Sequence, residues 1–436
     1  MLKFHVQSLG CPKNRVDTEH LLGAMGTDVA LTPHPGRADV IFINTCGFIE
    51  PAVRESVRSI LDAAAHRERL RRKPLLVVAG CLVGRYGAQT LGRDLPEVDL
   101  WLDNADLARW PWLLNAALAP RLRKPEERLT PQGRLGLFGH GSAYLKISDG
   151  CRHHCAFCTI PGIRGPHRSI PAALLVDEAR MLLGQGVGEL VLVAQDSTAW
   201  GEDVGEERGL VGLLERLLPL KGLRWLRLMY LYPAGITDAL LRLMREAAPV
   251  LLPYFDIPLQ HAHPDILRAM GRPFARDPRL VLDKVRTALP GAAIRTTCIT
   301  GFPGETPAHF QALLDFVAEG HFTHMGAFAY SPEEGTVAAS LPGQVPVAER
   351  ERRRDVLMEA QAEASAAALR ACVGQHWPVL VEAPHPDWPG LHTGRVWLQA
   401  PEVDGVTYIS GPGVRPGAFV QADIVESATY DLTALA

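Results

Sequence analysis

Cys151, Cys155 and Cys158 stand in the run Cys-Arg-His-His-Cys-Ala-Phe-Cys, three thiols within eight residues. That spacing lets all three converge on one metal centre. Three thiolates are one short of the four that close a structural zinc site or fully ligate a cubane iron–sulfur cluster. A three-cysteine cubane leaves one iron open to an outside ligand, and an open coordination position separates catalytic from structural metal sites. A zinc knuckle and three reduced core thiols are the other readings of the same run. A second set, Cys11, Cys46 and Cys81, is spaced 35 and 35 residues apart. It too is one ligand short.

The elements that must position these thiols alternate between strand and helix. Residues 1–116 read as an open parallel β-α domain, with strands at 3–8, 39–44 and 75–79 and helical periodicity from Asn14 and Pro51. Each strand is followed within a few residues by one cysteine of the second set. In a parallel open sheet the C-terminal strand ends share one edge, where ligands bind. A lone cysteine after a strand is a small buried residue, but three on one edge point to a shared metal site.

Residues 117–140, rich in Pro, Arg, Gly and Leu without periodicity, read as a linker. From 141 to 368 six β-α units, with strands at 143–148, 189–194, 225–230, 254–258, 292–300 and 322–330, predict an incomplete β/α barrel. The Cys151 run follows the first of these strands, on the rim where barrels place their chemistry. Residues 369–436 change to short Val-rich strands at 378–381, 394–397, 406–409 and 418–425, which predict a small β-barrel. The fold class is therefore α/β with a terminal β-module.

The chain has 436 residues, 47% apolar and 21% charged, enough for several domains with cores. No apolar run approaches a membrane-spanning length, and the start Met-Leu-Lys-Phe-His-Val-Gln lacks a long apolar signal. The expectation is a cytoplasmic protein whose eight cysteines stay reduced rather than form a disulfide framework. A net charge of −3 argues against broad, tight nucleic-acid binding. The run 67–73 (Arg-Glu-Arg-Leu-Arg-Arg-Lys) is read as a solvated helix end. From Ala371 onward there are two Arg and no Lys against seven Asp or Glu, so the terminal module is acidic.

Cys151 through Cys158, with Phe157 before the last cysteine, resembles the radical S-adenosylmethionine (SAM) family. Three further motifs, Ser8-Leu9-Gly10-Cys11-Pro12-Lys13-Asn14-Arg15-Val16-Asp17-Thr18-Glu19, Asn44-Thr45-Cys46-Gly47-Phe48-Ile49 and Ala79-Gly80-Cys81, resemble the methylthiotransferase family within it, over nearly the whole chain. The resemblance implies two 4Fe-4S clusters: one on Cys11, Cys46 and Cys81, and a SAM-binding one on Cys151, Cys155 and Cys158. It also implies that the middle module is a radical SAM barrel and the terminal one a TRAM domain. Gln195-Asp196, 256–262 and 330–336 are similar to the branch that modifies an aspartate of small-subunit ribosomal protein twelve, free or in the ribosome, rather than the branch that modifies tRNA adenosine. An acidic terminal module would repel the tRNA backbone and attract a basic protein, so tRNA is disfavoured. The family's reaction further implies an external electron donor and a sulfur donor.

Ile299-Thr300-Gly301-Phe302-Pro303-Gly304-Glu305 resembles the segment that supports SAM. Gln195, Asp196, Gly301, Gly304 and Glu305 are therefore expected near SAM or substrate, with capping of the following loop as the alternative for Gln195 and Asp196 and a plain strand-to-helix turn as the alternative for 299–305. No catalytic residue beyond the cluster ligands is assigned. Arg164-Gly165 keeps the family pattern, but Ser169-Ile170 stands where the family has Ser-Arg, with Arg168 displaced ahead. His153 and His154 are not read as ligands, because extra ligands would close the open site. His261 and His263 have either loop hydrogen bonding, solvent contact or catalysis open to them. Cys298 and Cys372 match no ligand position and read as buried small residues. A two-cluster electron carrier and a zinc-stabilised scaffold are the competing classes; the missing fourth ligand of both sets argues against each.

Overall fold

The computed structural model describes residues 1–26, 29–121, 133–136, 141–272 and 277–436. The chain forms two compact units. One comprises Met1–Leu137, Asp149–His153 and Cys158–Arg168, the other Phe138–Ser148, His154–Phe157 and Ser169–Ala436.

The first unit is built on five parallel strands, β1 (Leu2–Ser8), β2 (Val29–Leu31), β3 (Val40–Thr45), β4 (Leu75–Gly80) and β5 (Leu100–Asp103), in the spatial order β2-β1-β3-β4-β5. Val40 and Phe42 join a core with Phe4, Val77, Leu102 and Trp110, while Ile41 and Ile43 join another with Ile60, Leu76 and Val78. Successive residues of β3 thus serve opposite faces, which is why its sequence is continuously apolar rather than alternating. The short β2 and β5, three and four residues long, were not expected from the sequence; strands of that length at a sheet edge carry almost no periodicity.

The basic run 67–73 behaves differently from the solvated helix end expected of it. The helix Glu50–Glu68 ends there, but Arg67 is buried, donates to the Glu97 carbonyl at 2.8 Å and pairs with Asp99 at 2.8 Å. Only the remainder of the run faces solvent. Most of the expected linker 117–140 lies outside the described residues. At its start Leu118 is the buried last residue of the helix Trp110–Leu118, and Arg134 further on is buried in an ion pair with Glu19.

The second unit contains six parallel strands, β6 (Ser142–Lys146), β7 (Glu189–Val193), β8 (Trp225–Leu228), β9 (Tyr254–Asp256), β10 (Ala293–Thr300) and β11 (His324–Ala329). They form two sheets of order β8-β7-β6 and β9-β10-β11. The bridge Leu226↔Leu251, with hydrogen bonds from Leu226 to Val250 (2.7 Å) and from Leu252 to Leu226 (3.0 Å), connects β8 to the segment entering β9. The result is the curled, incomplete barrel expected, with helices such as Ala172–Gly184 and Pro307–Ala318 packed over one continuous apolar core.

The 24-residue helix Val347–Arg370 leads into a closed barrel of five strands, β12 (His376–Pro384), β13 (His392–Arg395), β14 (Thr407–Ser410), β15 (Phe419–Ser427) and β16 (Leu432–Leu435). The last strand was not read from the sequence; it pairs in parallel with β14 and antiparallel with β15 and closes the barrel. Buried charge holds this barrel to the six-stranded one. Glu189 on β7 takes Arg227 of β8 at 2.8 Å and Arg395 of β13 at 2.6 Å. Asp404 takes Arg295 at 2.6 Å and the Tyr254 hydroxyl at 2.7 Å.

Candidate metal centres

The register of the first sheet brings Cys11, Cys46 and Cys81 to neighbouring strand ends. Ser8 lies opposite Asn44, and Thr45 opposite Gly80, so β1, β3 and β4 end side by side. Cys46 and Cys81 directly follow β3 and β4, and Cys11 precedes the helix Pro12–Ala24, whose first-turn proline needs no N–H partner. Glycine makes the approach close enough. Gly10 has φ +81°, and a Cβ there would stand 2.7 Å from the Cys46 Cβ; one on Gly47 would stand 2.6 Å from the Cys81 carbonyl.

Asn14 ties the three loops together. Its Nδ2 donates to the carbonyls of Leu9 (3.0 Å), two residues ahead of Cys11, and Thr45 (2.9 Å), one residue ahead of Cys46. Its Oδ1 lies 3.7 Å from Cys81 Sγ. Ser56 fixes the backbone of Cys46, accepting from its N–H at 3.1 Å and donating to its carbonyl at 2.8 Å. Asn104 Nδ2 approaches Cys81 Sγ at 3.6 Å. Three soft donors converging from adjacent strand ends, with the small-residue cradle that brings them together, fit a three-thiolate iron–sulfur centre.

Arg164 stands over this site. It ends the short helix Ile160–Arg164, six residues beyond Cys158, and is buried. Its Nη2 donates to Asn14 Oδ1 at 2.6 Å, Asp17 lies 3.3 Å from both terminal nitrogens, and its Nη1 reaches both oxygens of Asp149 at 2.9 and 3.0 Å. Burial disfavours its charge, but Asp17, Cys81 and Asp149 outweigh that and hold the guanidinium firmly protonated. Burial likewise raises the Cys46 thiol to about 11, with Cys81 and Cys11 adding to the rise. Burial raises Cys81 too, against the opposing pull of Arg164. At Cys11 burial acts in the same direction but loses to the positive charges of Lys13 and Arg164, so its value is lowered.

The second cysteine run follows Ser148–Asp149. The Cys151 N–H donates to the Gly165 carbonyl at 3.2 Å, and Gly150, at φ +75°, would place a Cβ 2.1 Å from the Pro166 carbonyl. Thr159 donates to the Phe48 carbonyl at 2.9 Å. Around Cys155, the Ala156 N–H donates to Met270 at 2.9 Å and the Ala156 carbonyl accepts from Ala338 at 2.8 Å. Phe157 packs against Ala156, Ile266, Met270, Phe302 and Tyr330. Arg272 brings Nη1 to 3.5 Å from Cys155 Sγ while stacking over Tyr232.

The other expected contacts have internal partners. The buried Asp196 carboxylate accepts from the Thr198 N–H (2.9 Å) and hydroxyl (2.6 Å), capping the turn that follows; Gln195 precedes it beyond the end of β7. Glu305 accepts from the Gly301 N–H at 2.9 Å and pairs with Arg353 at 2.7 Å. Gly301 abuts Arg350, whereas Gly304 has open space where a side chain would stand. His261 is buried, 3.4 Å from Glu305, and its Nδ1 accepts from the His263 N–H at 2.9 Å, which removes the solvent-contact reading. His263, Asp265 and His309 bring ligand-type atoms within 4.8 Å of one another, but His263 Nδ1 caps its helix and Asp265 pairs with Arg268. Arg168 is exposed, and Ile170 packs on the barrel core. Cys298 and Cys372 are buried, which raises their thiols to about 12 and about 11. The sequence reading missed the roles of Asn14, Asp17 and Arg272; for Arg164 the Arg-Gly pattern was its one visible signal.

Comparison with known proteins agrees with this architecture. Residues 3–103 match the family model described as uncharacterized protein family UPF0004, residues 145–317 the radical SAM superfamily, and residues 373–436 the TRAM domain. The solved structure of the radical SAM methyltransferase TsrM from Kitasatospora setae, with cobalamin and a [4Fe-4S] cluster bound, shares the fold at a TM-score of 0.55 and 14% identity, over 90% of this chain and 80% of that one. OxsB, a cobalamin-dependent SAM radical enzyme, does so at 0.51 and 10% identity, over 82% and 56%. Fold and matched segments are those of a radical SAM enzyme, which uses an iron–sulfur cluster and S-adenosylmethionine. The ribosomal protein uS12 methylthiotransferase RimO of Nitratidesulfovibrio vulgaris (strain Hildenborough) is 62% identical over the full length of both chains, and that of Syntrophobacter fumaroxidans 44% identical over 98% and 97%. This chain belongs to the RimO family of methylthiotransferases.

Proposed function

We propose that this chain adds a methylthio group to the β-carbon of an aspartate in ribosomal protein uS12, using two 4Fe-4S clusters. Cys11, Cys46 and Cys81 ligate the first; Cys151, Cys155 and Cys158 ligate the second, which also binds SAM. The observation that carries the reading is the convergence of the first three cysteines at adjacent ends of β1, β3 and β4, a three-thiolate set additional to the one that SAM chemistry needs. We assign the modules as 1–116, 141–368 and 369–436.

When bound, the clusters supply low-potential electrons for opening SAM and a place for the sulfur that is transferred. A radical route is needed because the target C–H bond is too weakly acidic for protein acid–base groups. The chain's own part is positional. Asn14 and Ser56 hold the cysteine backbones, and the Asp149–Arg164 pair closes the second cysteine loop. Glu305 spends its carboxylate on the Gly301 N–H and Arg353, which shapes the turn expected to face SAM. Gly304, with nothing within 4 Å of where a side chain would begin, leaves room for close approach of a ligand.

The terminal barrel supports a protein substrate. Two of its charges, on the side chains of Arg395 and Asp404, are buried and paired within the unit. Asp423, Glu426 and Asp431 are at least partly exposed and leave its surface acidic, suited to a basic ribosomal protein rather than the tRNA backbone. The reaction further calls for an external low-potential electron donor and a sulfur donor, and we place it in the cytoplasm.

Mass spectrometry of uS12 from cells with and without this gene tests the reading. The expected result is an aspartate that carries one methylthio group only when the gene is present. An unmodified uS12 in both strains, with a methylthio nucleoside lost from tRNA in the deletion, would replace it with the tRNA reaction.

A further inference from the structure

Arg164 joins two things that the sequence keeps apart. Through Asp149 it spans the whole second cysteine loop: the pair is 15 residues apart in sequence, and both carboxylate oxygens meet the same Nη1. Through Asn14 and Asp17 the same guanidinium reaches the first centre, some 150 residues away in sequence. Its side chain is 1% exposed and that of Asp17 is 2% exposed. Charges so placed are screened far less by water and salt than exposed ones. A clasp alone would not require this arrangement, since Asp149 by itself would hold the loop. Asp17 and Asn14 over-determine the guanidinium, and the Asn14 Oδ1 that accepts from it at 2.6 Å lies 3.7 Å from Cys81 Sγ.

We propose that Arg164 is a positioning residue for the first cluster, whose fixed positive charge raises that cluster's reduction potential while its Asp149 pair holds the second cysteine loop in place. The inference rests on the two-cluster reading above. The physical reason is simple. One-electron reduction of a cluster held by three thiolates adds negative charge to a buried site, the electron coming from the external donor. A nearby fixed cation stabilises the reduced state, and the second carboxylate, Asp17, opposes it. Charge and hydrogen bonding around the sulfurs are general levers on cluster potential.

The test uses full-length protein with Cys151, Cys155 and Cys158 changed to Ala, reconstituted without oxygen, so that only the first cluster remains. Iron content is measured, and the midpoint potential is followed by electron paramagnetic resonance. Arg164→Gln in this background is expected to lower the reduced-to-oxidised ratio at the parent's midpoint at least about tenfold, about 59 mV for a one-electron couple. Arg164→Lys should restore most of the shift, because charge rather than fork geometry sets it. Asp17→Asn should move the potential the opposite way. An unchanged midpoint in an iron-replete Arg164→Gln protein overturns the proposal and leaves the two-cluster reading intact. Should Arg164→Gln fail to hold iron, Asp17→Asn decides: an upward shift supports the proposal, and no shift or a downward one overturns it. A parent that binds no iron removes the first cluster, and the proposal with it.

Discussion

Asp149 and Arg164 face each other across the second cysteine loop, the carboxylate oxygens 2.9 and 3.0 Å from one guanidinium nitrogen. The loop that carries Cys151, Cys155 and Cys158 is therefore tied at its two feet. Asp149 is partly exposed, so the pair contributes about 1 kcal/mol after screening by solvent. Asp149→Asn keeps the shape and removes the charge. In protein holding only the second cluster, chelator-driven iron loss should be about fivefold faster than in the parent. Equal rates would show that the pair does not hold the loop.

Gly10 makes a sharper prediction. An alanine there meets a left-handed backbone costing about 1–2 kcal/mol, and its Cβ would collide with that of Cys46 at 2.7 Å. Iron per chain in Gly10→Ala should fall toward that of Cys11→Ala. Full iron loading in the glycine variant would mean that the first cysteines need not approach as closely as they do here.

Cys298 and Cys372 serve as the internal control. Both are buried away from either centre's motif, with burial as the one cause of their raised thiols. Replacing either by Ala should cost about 1 kcal/mol as a small core truncation and leave iron content unchanged. Iron loss from either variant would revise the ligand set.

At the junction with the terminal barrel, Glu189 neutralises Arg227 and Arg395 in a buried triad. Burial of Glu189 disfavours its charge, but the two arginines outweigh that and hold its carboxyl below the ordinary range. Glu189→Gln leaves the buried Arg227 without a counter-charge and Arg395 with only Glu382, at 2.8 Å, a loss of about 3–5 kcal/mol. Hydrogen exchange across β12 to β16 should accelerate accordingly in that variant. Unchanged protection there would show that apolar packing alone seats the barrel.

His324 adds a pH dependence to the same junction. Its Nε2 lies 2.8 Å from the Leu398 carbonyl, and burial holds its value below the ordinary histidine range against the pull of Asp404. The unfolded chain takes up the proton near pH 6.5, the folded one only at lower pH. The stabilisation is therefore complete above about 6.5 and is lost as pH falls from there through the folded value. The stability difference between wild type and His324→Gln should shrink as pH drops from 7.5 to 5.5. A difference constant over that range would remove His324 as its source.

The order of β-α units, the partial barrel, the terminal β-module and the two cysteine sets were legible because each is a local pattern: periodicity names an element, and fixed spacing names a motif. Short elements such as β2, β5 and β16 were not, since three or four residues hold too little pattern to rise above a loop. The unbroken apolar run 40–43 points to a β3 buried on both faces, yet not to Cys46 ending beside Cys81. That follows from the strand order β1-β3-β4, which depends on how the sheet assembles.

The two sets of three cysteines, each one short of four, belong to the sequence alone. The placement of buried charge belongs to the tertiary structure. Arg164 meets Asp17 across 147 residues, and Glu189 meets Arg395 across 206. An ion pair in water is worth too little to leave a mark on local sequence. Inside the fold a buried charge must find its partner or forfeit several kcal/mol, and only the packed chain decides which partner that is.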